Sequence, residues 1–270
     1  MKLSVNDIDV HVHIWNEQAV ETIVMLHGFT GSVSTWGKIA DLLPKTYRII
    51  AIDLIGHGLT DAPEDVSNYS MEEQITLLHE TFKQLNLSTY TLLGYSMGGR
   101  VALSYAATYP SQIEQLILES ASPGLKTEDE RQARRLSDEE LANKIMQNGV
   151  QSFVEKWENI SLFESQKKLP KEVQAEIRQE RLAQCEIGLA NSLRGMGTGS
   201  QRSLWTKLTE IDIPVTLITG TLDQKFYNIA QEMKKLLPNA KHVVVHEVGH
   251  AIHVENPTTF ATIVKDVINK

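Results

Sequence analysis

The stretch Leu93-Gly94-Tyr95-Ser96-Met97-Gly98-Gly99-Arg100 decides how this chain is read. It sets a serine between two glycines in a Gly-x-Ser-x-Gly pattern. The apolar run Thr91-Leu92-Leu93 precedes it, and a helical pattern over residues 97–109 follows and stops before Pro110. A strand that enters and a helix that leaves force a sharp turn at Ser96. Glycines on either side permit the tight backbone and the close packing such a turn needs. The serine then stands at a helix N-terminus, where free N–H groups and partial positive charge favour an anion. A serine that only caps its helix has the same local pattern. The flanking strand and glycines favour an activated hydroxyl.

Working outward, the same strand signal recurs. Val10, Val12 and Ile14 alternate with polar residues, the period of a half-buried strand. Thr22–Leu26, Arg48–Ile52, Leu116–Leu118, Val215–Ile218 and His242–Val245 are continuous apolar runs, as in strands buried on both faces. Helical patterns lie between them. Residues 71–86 carry Ile75, Leu78, Phe82 and Leu85 at helical spacing, and residues 228–237 and 257–268 follow the last two strands. Alternating strands and helices predict an α/β fold with a mostly parallel central sheet and helices on both faces.

One segment breaks the alternation. From Pro123 to Trp205 the patterns are helical and rich in arginine: Arg131, Arg134, Arg135, Arg178, Arg181, Arg194 and Arg202. The predicted organisation is a core of residues 1–122 and 206–270, with a helical cap, 123–205, inserted between two strands of one sheet.

Composition bounds the function. With 270 residues and 41% hydrophobic content, the chain can bury a sizeable core. A net charge of −8 argues against nucleic acid as a partner, although a local arginine cluster can still bind an anion. The single cysteine, Cys185, excludes an internal disulfide. It is read as a buried free thiol in a reducing compartment. No run is long and apolar enough to span a membrane, and Met1–Asp7 lacks the start of a signal peptide. A cytoplasmic protein without a membrane partner is expected.

An activated serine needs a base, and in this kind of site the order along the chain is Ser, Asp or Glu, His. Asp223 follows the strand at Val215–Thr219, in a predicted loop, and His250 follows the strand at His242–His246. Both fall beyond the C-terminal ends of strands, on the sheet edge that carries Ser96, where ligands collect in open α/β sheets. His250 would exchange a proton with Ser96, and Asp223 would hold its tautomer. Alone, each would be an ordinary turn residue; three in this order carry the reading. The backbone N–H groups of Phe29, after the strand at Thr22–Leu26, and of Met97 are candidates for an oxyanion hole. Asp53-x-x-Gly56-His57-Gly58 reads as a structural turn, and His57 is not assigned to catalysis. His246-Glu247-Val248-Gly249-His250 matches the H-E-x-x-H zinc signature. That chemistry needs both histidines on one helix face, whereas β-branched Val243–Val245 before the motif and Gly249 within it indicate strand and loop. No metal is assigned.

These features resemble the α/β-hydrolase family across nearly the whole chain. Within it, three stretches are similar to a branch that performs lyase chemistry in menaquinone biosynthesis: Tyr95–Arg100, Glu119–Leu125, and Ser192–Gly199 before Leu204-Trp205. The resemblance implies elimination of pyruvate, without a cofactor, from a small cyclohexene that carries a ring carboxylate, a succinyl group and an enolpyruvyl ether. Such a substrate bears three carboxylates, which arginine grips with a bidentate fork. By position, Arg100, Arg134 and Arg181 match the family's substrate-binding arginines, with Arg135 or Arg178 as possible replacements for the latter two. Tyr95 and Trp157 match aromatic substrate-binding positions. Most cap arginines read equally as a solvated helix face, and Trp157 reads equally as cap core. An esterase or carbon–carbon bond hydrolase, with Ser96 as nucleophile, is the alternative activity on the same triad. A non-catalytic binder is the alternative from another class.

Overall fold

A computed structural model describes residues 1–269. Its strands are β1 (Lys2–Val5), β2 (Ile8–Trp15), β3 (Glu21–Leu26), β4 (Tyr47–Ile52), β5 (Tyr90–Tyr95), β6 (Ile113–Glu119), β7 (Val215–Gly220) and β8 (Ala240–Val245). They form one eight-stranded sheet in the order β1-β2-β4-β3-β5-β6-β7-β8. From β4 to β8 every neighbouring pair is parallel; β1 and β2 pair antiparallel, and β2 pairs antiparallel with β4. The sequence reading leaves β1 outside the sheet. It joins through a tight hairpin at Asn6-Asp7, where both residues have positive φ, 49° and 62°, the backbone of a two-residue hairpin turn.

The helices are α1 (Gly37–Leu42), α2 (Met71–Gln84), α3 (Met97–Thr108), α4 (Glu128–Trp157), α5 (Lys171–Leu182), α6 (Glu186–Met196), α7 (Gln224–Leu236), α8 (Ile252–Glu255) and α9 (Pro257–Ile268). Successive strand residues point to opposite faces, which splits the core in two. Val24, Leu26, Ile50 and Leu92 pack with Phe82 of α2, Val101 of α3 and Met233 of α7. Ile23, Met25, Ile49 and Leu93 pack on the other face with Trp36, Ile39 of α1, and Phe260 and Val264 of α9. Each such side chain contributes about 1.5–3 kcal/mol on burial, so both apolar layers are needed to hold the sheet edge rigid.

Between β6 and β7 the described residues hold no strand, only α4, α5, α6 and short 3-10 turns. This insertion has its own cluster, in which Ala142, Ile145, Phe153 and Val154 meet Leu189 and Leu193. A capping box of Thr127 and Glu130 starts α4, and Gly149 (φ 78°, ψ 166°) breaks it. No helix among the described residues is long and apolar enough to cross a membrane.

Glu180 of α5 ties the insertion to the core. Its Oε1 accepts from Ser32 N at 3.0 Å, Ser32 Oγ at 2.8 Å, Ser34 Oγ at 2.8 Å and Thr35 Oγ1 at 2.7 Å. Gln184 Oε1 adds a bond from Gly58 N at 3.0 Å. Hydrogen bonds to a charged acceptor are worth about 1.5–3 kcal/mol each, but the exposed hydroxyls can turn to water instead. We predict that Glu180→Ala lowers stability by about 2 kcal/mol in urea unfolding. Glu180→Gln, which keeps an acceptor oxygen, should lose less; equal losses would contradict this account.

Two expectations are corrected. The helix expected over residues 228–237 begins at Gln224, because Asp223 caps it: its side chain accepts from Phe226 N at 3.3 Å. Asp223 is thus a helix cap, not a loop residue. Cys185 is exposed, not buried. It sits at the joint between α5 and α6, where its Sγ accepts from Gly188 N at 3.4 Å.

Candidate active site

The site begins at the turn between β5 and α3. Ser96 has φ 50° and ψ −106°, a conformation that costs a non-glycine residue about 1–3 kcal/mol. The surroundings impose it. A Cβ at Gly98 would lie 2.3 Å from Leu26 O, and one at Gly94 would lie 2.3 Å from Gly98 O. Only glycines let β3, β5 and α3 approach so closely. The Ser96 hydroxyl makes no helix-capping bond although Ser96 is the N-cap of α3. It lies 2.9 Å from His250 Nε2 instead. His250 Nδ1 is 2.6 Å from Asp223 Oδ2, and both residues are buried. A carboxylate can only accept, so Nδ1 carries the proton, Nε2 is the acceptor, and Ser96 O–H donates to it. Asp223 divides its oxygens: Oδ1 caps α7 and Oδ2 orients the histidine.

His250 stands beyond β8, three residues before His253. The buried Glu119, last residue of β6, accepts from His253 N at 3.0 Å, and its carboxylate is 2.8 Å from His253 Nδ1. The backbone oxygen of Glu119 also accepts from Ser96 N at 2.9 Å. One residue therefore braces both the serine turn and the segment after His250. The Tyr95 ring lies between them, 5.4 Å from His250 and 4.6 Å from His253. Burial, then the Glu119 carboxylate, pushes its phenol well above the ordinary value, so it stays protonated as a donor.

Ser96 and His250 open into a cavity of about 430 Å³, lined also by Phe29, Tyr95, Met97, Arg100, Arg134 and Trp157. That volume suits a small organic molecule. As first residue of α3, Met97 has no partner for its N–H within that helix. Arg100 NH1 donates to Met196 O at 2.7 Å and Gln201 Oε1 at 2.8 Å, both neutral acceptors. Arg134 Nε donates to Asp138 Oδ1 at 2.7 Å. Burial, together with the Arg134 charge beside it, pushes Arg100 down to about 10, offset in part by Asp138. The Arg100 guanidinium remains charged at neutral pH, and among the described residues Asp138 is the acid paired with Arg134. Asp138 itself is pushed upward by burial against the pull of Arg134. Trp157 packs edge-on against Phe29 at 5.5 Å, and its buried indole N–H has no acceptor among the described residues.

Arg181 is not brought into this cavity. It lies behind Phe163, with its guanidinium 4.5 Å from that ring and NH2 donating to Gln166 Oε1 at 3.1 Å. It lines a separate pocket of about 50 Å³ with Gly28, Tyr95 and His253. Burial lowers its pKa, opposed by nearby Tyr95, Glu158 and Glu180. The alternatives fall elsewhere too. Arg135 bonds Gly199 O and Glu128, and Arg178 pairs with Glu158. Arg131, Arg194 and Arg202 pair with Glu128, Glu139 and Glu72. None of these five lines the Ser96 cavity. Sequence reasoning missed Ser122, Ser192, Thr198 and Lys225, which also line the cavity. Three of them sit inside or beside the stretches that carry the family resemblance, which was the available signal.

The zinc-like motif is not helical: β8 ends at Val245, and Glu247 lies in a turn with φ 60°. His57 is structural, as read. Its Nδ1 donates to Ile55 O at 3.1 Å, and burial pushes its pKa down to about 3. His27, bonded to Gly28 O and Leu54 N, is lowered as well, chiefly by burial. The unfolded chain takes up a proton below 6.5 that folded His57 refuses, so stability is lost as pH falls from 6.5 toward 3. At pH 5, His57 alone removes about 2 kcal/mol relative to pH 7. Urea unfolding at the two pH values should show a smaller difference for His57→Gln than for the native chain. An unchanged difference would contradict the assignment.

Comparison with known proteins agrees with this architecture. A family model described as alpha/beta hydrolase fold matches residues 21–257. The chain is 31% identical to a 2-succinyl-6-hydroxy-2,4-cyclohexadiene-1-carboxylate synthase of Klebsiella pneumoniae, over 87% of this chain and 88% of that protein. It is 49% identical to a Bacillus subtilis protein that bears the same name provisionally, over 93% and 91% of the two chains. Among solved structures, MenH from S. aureus superposes with a TM-score of 0.91 at 38% identity, covering 96% of this chain and 97% of that one. An enol-lactonase from Burkholderia xenovorans LB400 shares the fold, with a TM-score of 0.87 at 20% identity. Strand order, serine turn and sequence matches converge: the chain belongs to the α/β-hydrolase fold family.

Proposed function

We propose that this protein is a carbon–oxygen lyase of menaquinone biosynthesis. It converts 2-succinyl-5-enolpyruvyl-6-hydroxy-3-cyclohexene-1-carboxylate into 2-succinyl-6-hydroxy-2,4-cyclohexadiene-1-carboxylate and pyruvate. The observation that carries this reading is a Ser96–His250–Asp223 relay opening into a cavity with two arginines against one acid. Hydrolysis of a neutral ester has no use for two cations in the cavity wall, Arg100 buried and Arg134 partly exposed. Relatives named as that synthase, similar over most of both chains, support the same reading.

In this reading residues 123–205 form a cap over the core of residues 1–122 and 206–270. Arg100 and Arg134 each hold a carboxylate, and Arg134 presents its terminal nitrogens because Asp138 occupies Nε. Trp157 and Tyr95 supply donors on the ring and succinyl groups. Held in that way, the substrate turns a ring C–H toward Ser96. His250 draws the Ser96 proton, and the serine oxygen, as general base, takes the proton from carbon. The electron pair becomes the new ring double bond as the C–O bond to the enolpyruvyl group breaks. That group leaves as the pyruvate enolate and recovers a proton through His250, so protons balance and no water is consumed. The N–H groups of Phe29 and Met97 stabilise the enolate-like oxygen that develops on the substrate. Arg181 acts from behind, by fixing Phe163 against the cavity.

The test is a direct assay on purified protein: pyruvate release from the enolpyruvyl substrate, set against hydrolysis of a small p-nitrophenyl ester. Pyruvate release with negligible ester hydrolysis is expected. Ester hydrolysis without pyruvate would assign the relay to a hydrolase with Ser96 as nucleophile.

A further inference from the structure

Lys225 is a cation in the Ser96 cavity with no ion pair among the described residues. It lines that cavity on the side of Phe226 and His250. Its Nζ lies 5.5 Å from the Phe226 ring, and among the described residues it has no carboxylate partner. Its place in the fold is unfavourable for a positive charge. It stands in the first turn of α7, two residues after Asp223, and that turn contains no acidic residue. A cation there meets the partial positive charge of the helix N-terminus. An ordinary surface lysine gains nothing from such a position. A lysine that meets an anionic ligand there does.

The charge count in the cavity gives it a role. The proposed substrate carries three carboxylates. Arg100 and Arg134 line the cavity, and Arg181, the third arginine expected there, is screened off behind Phe163 and engaged with Gln166. Lys225 is the remaining cation in the lining. We propose that Lys225 receives the third carboxylate and makes the site selective for a trianionic substrate over a dianionic one. This assignment rests on the elimination proposed above. Its flexible ammonium acts as a point charge, suited to a carboxylate on a movable arm, whereas the two arginines fix the rigid part through forks. Asp223 and Lys225 share one short segment, so the residue that orients His250 is followed at once by one that senses the ligand.

The experiment uses the full chain and pyruvate release over a range of substrate concentrations, at low salt and at about 0.5 M salt. Lys225→Gln should raise KM about tenfold with kcat within about twofold of native, and should weaken the fall of kcat/KM with salt. Lys225→Arg should restore KM to within about threefold. A merely structural role would lower kcat and the urea midpoint and would leave the salt dependence alone. Lys225→Gln with native KM and native salt dependence would overturn the assignment while the elimination stands. Native protein that releases no pyruvate would remove the elimination, and this assignment with it.

Discussion

Ser96→Ala should abolish pyruvate release, lowering kcat by about 10³-fold or more while KM stays within about threefold. The reasoning starts from geometry. The Ser96 hydroxyl caps nothing and has one polar partner, His250 Nε2 at 2.9 Å. Its loss leaves Arg100 and Arg134 untouched, so substrate binding persists and only the proton transfer fails. Alanine also inherits the strained backbone at φ 50°, so folding is no better or worse posed than in the native chain. Steady-state kinetics with a urea midpoint on the same preparation separates lost chemistry from lost structure. A variant that keeps near-native kcat would remove Ser96 from the base role. A mass increase on the native protein, matching a covalent adduct during turnover, would recast Ser96 as a nucleophile.

Arg100→Met should lower kcat/KM about 10²-fold, with the larger part in KM. Methionine fills most of the aliphatic volume and removes the fork. Two effects on stability oppose each other. Met196 O and Gln201 Oε1 lose a charged donor, at about 1.5–3 kcal/mol each. Against that, burial of the Arg100 charge and its repulsion with Arg134 are relieved, the same causes that push Arg100 down to about 10. The net change in urea midpoint should be smaller than the change in transition-state binding. Arg100→Lys should resemble methionine more than arginine, because an ammonium cannot bond Met196 O, Gln201 Oε1 and a carboxylate in one plane. Native kcat/KM in Arg100→Lys would contradict the fork.

The parts of the fold set by backbone periodicity were legible in the sequence. Continuous apolar runs mark strands buried on both faces, and β3 through β7 are largely such strands; β8, expected to be one, is half-buried over its first five residues because it is the edge of the sheet. Ser96, Asp223 and His250 were legible because each follows a strand and the topology brings all those strand ends to one edge. β1 was not legible: four residues with one fully buried side chain, Val5, carry too little pattern. The start of α7 was hidden because Asp223 serves as helix cap and histidine partner at once. The insertion was hardest. Neighbouring helix residues point about 100° apart, so which of Arg134 and Arg135 faces inward depends on how α4 docks. Asp138, one turn on, marks the inward face. The place of Arg181 was not legible for the same reason: its burial behind Phe163 depends on the docking of α5, which the Glu180 contacts to Ser32, Ser34 and Thr35 determine. Lys225 had no periodic signal, since a single exposed lysine reads as solvent-facing until a cavity wall is drawn beside it.

The central claim is elimination by Ser96 in a cation-lined cavity. Simultaneous measurement of pyruvate and of the conjugated diene's ultraviolet absorbance during turnover of the native protein tests it most directly. The account predicts one diene formed per pyruvate released, at every time point, with no cofactor added. Pyruvate released without the diene, as simple hydrolysis of the enol ether would give, or neither product with active ester hydrolysis, would contradict it.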